Sequence, residues 1–254
     1  VLIEAAGQQL EVNRVDVGAQ RRPSLVFLHE GLGSASMWKD FPSHVAHSTG
    51  CNAIVYSRNG HGKSPLAVPV HAPSYMHDEA LQVLPALLDR LDVERPILIG
   101  HSDGASIALI YAAASGRAVT ALVAMAPHVM VEDLSVASIA ASNDAFLNTE
   151  MRPKLARYHA DADAVFRRWN RIWLSPEFRS WNIEALLPRI PCPVLAIQGA
   201  DDEYGTMAQV ESIQRAVDDA EILELSDCRH SPHKDQPAAT LEAVTAFVDR
   251  VTAQ

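Results

Sequence analysis

The chain lacks most of the features that mark specialised classes of protein. Cysteine is scarce: Cys51, Cys192 and Cys228 are scattered over 254 residues and none forms a Cys-x-x-Cys pair. That excludes a disulfide framework and predicts a reduced, cytoplasmic protein. No apolar run reaches the ~18–20 residues of a spanning helix, so no membrane partner is expected. The first residues, Val1-Leu2-Ile3-Glu4, carry neither a basic segment nor a cleavage pattern, and no secretory signal is expected. Positive charge is in deficit, with 21 Lys and Arg against 31 Asp and Glu and a net charge of −10. A phosphate-seeking groove wants the opposite sign, which excludes general nucleic-acid binding. Internal repeats and low-complexity tracts are missing as well.

What remains is an ordinary globular balance, 48% hydrophobic and 20% charged. At this length one large core suffices, and no metal or disulfide staple is required. Two β-type segments open the chain at 2–5 and 10–17, and Arg21-Arg22-Pro23 reads as a turn. Ser24–His29, Asn52–Tyr56, Pro96–Gly100, Thr120–Ala126 and Val194–Gln198 are short continuous apolar runs, the pattern of strands buried on both faces. Glu221–Leu225 is a further strand. Helical spacing marks 76–91, 105–115, 206–217 and 237–251. Strands alternating with helices predict an α/β fold with a mostly parallel, doubly wound sheet. The exception is 127–188, which holds Trp169, Trp173 and Trp181 and no convincing strand. It is expected to be a helical lid inserted into a core formed by 1–126 and 189–254.

The sharpest motif is Gly100-His101-Ser102-Asp103-Gly104, between a buried strand and a helix of small residues. In that setting a Gly-x-Ser-x-Gly sequence makes a nucleophile elbow. Ser102 must sit in a strained turn, the glycines let strand and helix approach, and the Asp103 N–H faces a developing oxyanion. The alternative is a serine in a phosphate-cradling turn. A second loop, His29-Glu30-Gly31-Leu32-Gly33-Ser34, follows the first buried strand.

With these motifs the chain resembles the α/β-hydrolase fold family. The resemblance implies that Gly31, with Leu32 close by, supplies the other oxyanion donor. It also implies an acid after the late strand, where Asp201, Asp202 and Glu203 compete. The family spacing from Gly199 selects Asp202, leaving Asp201 and Glu203 as solvated or capping residues. Two histidines, His230 and His233, occupy the last loop. The family spacing to Asp235 and Pro237 selects His230, with His233 supporting the loop. Arg58-Asn59-Gly60-His61-Gly62-Lys63-Ser64 resembles a structural loop of the family. It is not a phosphate loop, because Ser57 stands where that motif needs glycine.

The sequence departs from the family pattern twice. Glu30 replaces a glycine, and either points away or contacts substrate. Arg229 replaces the residue before the histidine, usually glycine. His128 is either a pocket residue or a structural histidine. Tyr158, Trp169, Trp173 and Trp181 line a substrate pocket or form lid core.

The expected function is a serine hydrolase of a small carboxylic ester or lactone, with catalytic Ser102, Asp202 and His230. Glu30, Leu32, His128, Trp169 and Trp173 are the substrate-binding candidates. No metal and no organic cofactor is implied, and monomer and homodimer both remain open. Thioester cleavage and perhydrolysis are further possibilities on the same machinery. One alternative is a C–C hydrolase of vinylogous diketones, whose anionic substrates would use Arg152, Arg157, Arg167, Arg168, Arg58 or Arg229. Another is a non-catalytic ligand receptor on the same fold.

Overall fold

A computed structural model describes residues 1–18, 22–67 and 72–253. Arg21, in the expected turn, lies outside them. The strands are β1 (Leu2–Ala5), β2 (Gln8–Val15), β3 (Leu25–Leu28), β4 (Ala53–Ser57), β5 (Ile97–His101), β6 (Ala121–Met125), β7 (Val194–Gly199) and β8 (Ala220–Leu225). They form one sheet in the order β1-β2-β4-β3-β5-β6-β7-β8. β2 pairs antiparallel with β1 and β4, and every other pair is parallel. The β1–β2 turn places Ala6 and Gly7 both at positive φ (49° and 72°), the backbone twist a two-residue hairpin favours.

Each central strand is apolar on both faces because helices cover both. Val26, Leu28, Leu98, Leu122 and Ala196 point to one side. They pack with helices α2 (Tyr75–Asp78), α3 (Leu84–Arg90) and α4 (Asp103–Ala114). Phe27, Ile97, Ile99, Val123 and Ile197 point to the other, against α1 (Phe41–Thr49) and the C-terminal helix at Pro237–Thr252. Alternate side chains along one strand therefore enter different cores. The single helix expected at 76–91 is interrupted, since a π-type turn at Glu79–Val83 separates α2 from α3. Pro85 has no N–H to offer the preceding turn, which favours the break. α1 follows no strong periodicity and was not anticipated; Gly50 at φ 63° ends it.

Between β6 and β7 the chain forms α5 (Asp133–Asn148), α6 (Met151–Leu155) and α7 (Ala162–Trp173). Among the described residues it holds no strand, only the isolated Met130–Asn182 bridge. α7 starts where the Asp161 carboxylate accepts from the Ala164 N–H at 2.9 Å. Its apolar stripe, at 162, 165, 166, 169, 172 and 173, follows helical spacing and faces inward. Buried Asn170 donates to the Ile139 carbonyl and ties α7 to α5. Beyond β7 come α8 (Ala208–Ala216), α9 (Pro232–Asp235) and α10 (Pro237–Thr252).

Candidate active site

Ser102 stands at the carboxyl end of β5, immediately before α4, at φ 53° and ψ −120°. A non-glycine residue rarely occupies this region, and the turn stores strain. Close packing holds it there. A Cβ on Gly100 would overlap Ala105, and one on Gly104 would overlap the Leu28 carbonyl. The glycines that flank Ser102 are therefore required for α4 to reach the sheet, as expected.

Two later loops converge on this serine. Ser102 Oγ lies 2.9 Å from His230 Nε2, and His230 Nδ1 lies 2.9 Å from both Asp202 carboxylate oxygens. Ser102 is 6% exposed and the His230 side chain 15%. Asp202 is fixed from behind, accepting from Gln198 Nε2 at 2.7 Å and from the Tyr204 N–H at 2.8 Å. His101 Nε2 bonds the His230 carbonyl oxygen at 2.7 Å. Gly199 explains how the loops meet, because a Cβ there would overlap the Cys228 and Arg229 carbonyls.

Burial pushes the His230 imidazole down, but the hydrogen bond and charge of Asp202, with Glu30 and Glu203, outweigh it. Its pKa lies above the ordinary histidine value. Burial raises the Asp202 carboxyl, the His230 hydrogen bond and charge lower it, and the net shift is downward. His233 is buried beneath this loop against Trp38 and Phe41, with ring centroids 4.8 and 5.5 Å away, in the supporting place expected.

The Gly31 loop faces Ser102 from β3. Glu30 turns its carboxylate back onto its own loop, accepting from the Leu32 N–H at 2.6 Å while still lining the cavity. Leu32 is thereby occupied, whereas the N–H groups of Gly31 and Asp103 meet no acceptor among the described residues. Trp169 closes over Gly31, and a Cβ there would overlap its indole. Behind the loop, Arg58 is 5% exposed; it donates to the Glu30 carbonyl at 2.8 Å and lies 3.7 Å from the Asp103 carboxylate. Asp103 also accepts from Tyr75 Oη at 2.7 Å. Burial raises its carboxyl more than Arg58 lowers it.

A cavity of about 270 Å³ opens above Ser102. Glu30, Leu32, His128, Trp169 and Trp173, the substrate-binding candidates, all line it. Tyr204, Ile139, Met37, Met151, Leu155 and Glu203 do so without having been anticipated. Only the turn after Asp202 hinted at Tyr204, whose ring lies 4.8 Å from that of His230. His128 is 2% exposed and stacks edge-on to Trp173 at 4.8 Å. Burial, then the nearby His230 charge, pushes its pKa down to about 3.

Two expectations are corrected. Glu203 is neither free in solvent nor a helix cap, since it accepts from the His230 N–H at 3.3 Å and pairs with Arg229 at 3.1 Å. Glu132 accepts from the Thr206 N–H and hydroxyl just ahead of α8. None of Arg58, Arg152, Arg157, Arg167, Arg168 and Arg229 lines the Ser102 cavity. Arg152 and Arg167 pair with Asp163, and Arg168 donates to the Asn59 carbonyl. Trp181 stacks on Phe178 in the core, and Tyr158 lies outside the Ser102 cavity.

No group of three or more metal-ligating side chains occurs among the described residues. No described helix is long and apolar enough to cross a membrane.

Residues 25–243 match the sequence profile of the alpha/beta hydrolase family. Over 94% of this chain and 85% of its own length, the sn-1-specific diacylglycerol lipase ABHD11 of Mus musculus is 25% identical. The enol-lactonase from Burkholderia xenovorans LB400 superimposes with a TM-score of 0.77, at 17% identity over 98% of this chain and 99% of that one. A carboxylesterase structure from Nitrososphaera gargenis gives 0.77 at 19% identity, over 100% and 99%. At these identities the structural matches show a shared fold.

Proposed function

The chain belongs to the alpha/beta hydrolase family, and on that premise we propose that it is a serine hydrolase of a small carboxylic ester or lactone. One observation carries the reading, the unbroken line from Ser102 Oγ through His230 to Asp202 with every link 2.9 Å long. Ser102 attacks the carbonyl carbon while His230 Nε2 takes the hydroxyl proton. Asp202 holds the proton on Nδ1 and stabilises the imidazolium that forms. The N–H groups of Gly31 and Asp103 donate to the oxyanion, helped by the amino end of α4. Collapse expels the alkoxide, which takes the proton from His230, and leaves an acyl-Ser102. Water then attacks the acyl group, giving its proton to His230, and the acid is released as Ser102 is reprotonated.

In this reading 127–188 is the lid over a core of 1–126 and 189–254. The inner cavity takes a neutral reactive end, because Glu30, Asp103 and Glu203 line it and, among the described residues, no Lys or Arg does. That composition weighs against a C–C hydrolase whose anionic substrate needs cations beside the reacting carbons. The relatives described above, named as a lipase, a lactonase and a carboxylesterase, share acyl transfer to water. Three free, buried cysteines support a reducing, cytoplasmic setting.

The test is a burst assay with short- and medium-chain p-nitrophenyl esters on the wild type, Ser102→Ala and His230→Ala. A burst or steady turnover lost in both variants supports the acyl-enzyme route. Turnover surviving in Ser102→Ala removes the nucleophile from the account, and a folded but silent wild type removes the ester reading.

A further inference from the structure

The Ser102 cavity shares part of its wall with a second space. Met37, Met151 and Leu155 also line a second, more open hollow of about 490 Å³. These three apolar side chains, between the 35–38 turn and α6, border both spaces. The outer hollow is largely apolar and reaches the surface at Thr149, Lys154 and Tyr158.

Its rim runs against the charge of the whole chain. Net charge is −10, yet four cations gather around the mouth. Lys154 lines the hollow itself. Lys39 donates to the Tyr158 hydroxyl and lies 4.4 Å over its ring. The Lys39 bond, and the charges of Lys39, Arg157 and Lys234, hold the Tyr158 hydroxyl below its usual range. All four cations are exposed. None has an ion-pair partner among the described residues, whereas neighbouring Arg152 and Arg167 are both engaged by Asp163. Glu150 is the acid that lines the hollow. Apolar walls with unpaired cations at one end match an apolar arm that carries a negative charge at its tip.

We propose that this trough binds the long arm of the substrate, an apolar chain ending in a phosphate or carboxylate. The proposal rests on Ser102 being the reacting group, because the trough matters only as an extension of that cavity. The neutral ester lies inside, beside Glu30 and Glu203, and the anion lies outside, among Lys39, Lys154, Arg157 and Lys234. The two charge environments thus set the orientation of the substrate.

The experiment compares octyl phosphate, octanoate and octan-1-ol by isothermal titration against the wild type and the Lys39→Glu/Lys154→Glu double variant. The wild type should bind octyl phosphate at least about tenfold more tightly than octan-1-ol at low salt, with the gap narrowing toward 1 M salt. Octanoate falling with octyl phosphate means that the rim reads charge, and octanoate falling with octan-1-ol means that it reads phosphate. The gap should close in the double variant. Equal binding of all three, or a preference untouched by the charge reversal, overturns the proposal.

A kinetic series runs beside it. Hemi-p-nitrophenyl esters of dicarboxylic acids are compared with neutral p-nitrophenyl esters of equal length, and acetates of ω-hydroxy acids with simple alkyl acetates. Preference for the anionic member in one series assigns the arm to the acyl or the alcohol side. Preference in neither, with both series turned over, overturns it. Anion-selective binding without turnover of any ester would instead leave the trough standing and remove the hydrolase reading.

Discussion

The strand ends around Ser102 and the helical segment from 127 to 188 are built on different tolerances. At the strand ends, backbone meets backbone. Gly100, Gly104 and Gly199 have no room for a methyl group, and Ser102 is pinned at a positive φ between two of them. In the helical segment contacts are made by side chains over a looser frame, with Leu147 exposed at 72% and Asp163 shared by two arginines. Reaction geometry demands placement to a fraction of an ångström, and backbone packing provides it. Substrate choice needs shape and charge, which side chains can change without moving the strands. Under the proposed function, chemistry belongs to the sheet and selection to the helices.

The largest effect should come from the strand ends. Ser102→Ala is expected to lower turnover by roughly 10⁴–10⁶ with an unchanged melting temperature, measured by initial rates and calorimetry. Asp202→Asn should cost about 10⁴ and remove the main support for charge on His230. Because the base must be neutral, activity should rise with pH along a limb placed above 6.5 in the wild type, since His230 is raised. A pH–rate profile should show that limb moving down in Glu203→Gln, whose charge also favours the imidazolium. A limb that stays in place would leave Glu203 as a loop anchor alone.

Stability offers the next contrast. Gly104→Ala forces a methyl group into the Leu28 carbonyl, and denaturant unfolding should show a loss of about 1–3 kcal/mol. Acid should act at the strand ends too. Burial, the first cause in each, holds His29, His61, His101 and His233 below the ordinary value. Below about pH 6.5 the unfolded chain binds protons that these folded imidazoles refuse, so stability falls as pH falls through that window. Replacing His233 by Gln should flatten the fall. The smallest effect belongs to the helical segment, where Arg167→Ala breaks an exposed pair with Asp163 and should shift stability by less than about 0.5 kcal/mol.

Legibility in the sequence follows the same divide. Buried strands announce themselves as apolar runs between turn residues, and Gly100 and Gly104 announce the elbow because close approach permits nothing larger. Asp202 and His230 needed the family spacing, since Asp201, Glu203 and His233 are equally plausible by residue type. Glu203 was misread because nothing local shows that a loop twenty-seven residues on returns to it. Met37, Ile139 and Leu155 were missed for a related reason. Apolar residues at helical spacing look alike whether they fill a core or line a cavity, and only tertiary packing separates them. The π-type turn before Pro85 was likewise hidden inside a helical pattern.

The central claim is that Ser102 is the nucleophile of an acyl-transfer site assembled by His230 and Asp202. It is tested most directly by incubating the protein with a fluorophosphonate, which traps an activated serine, and mapping the adduct by peptide mass spectrometry. The account predicts one stoichiometric adduct on Ser102, and its formation slowed severely in His230→Ala. An adduct on another residue, or none on the folded wild type, would contradict it.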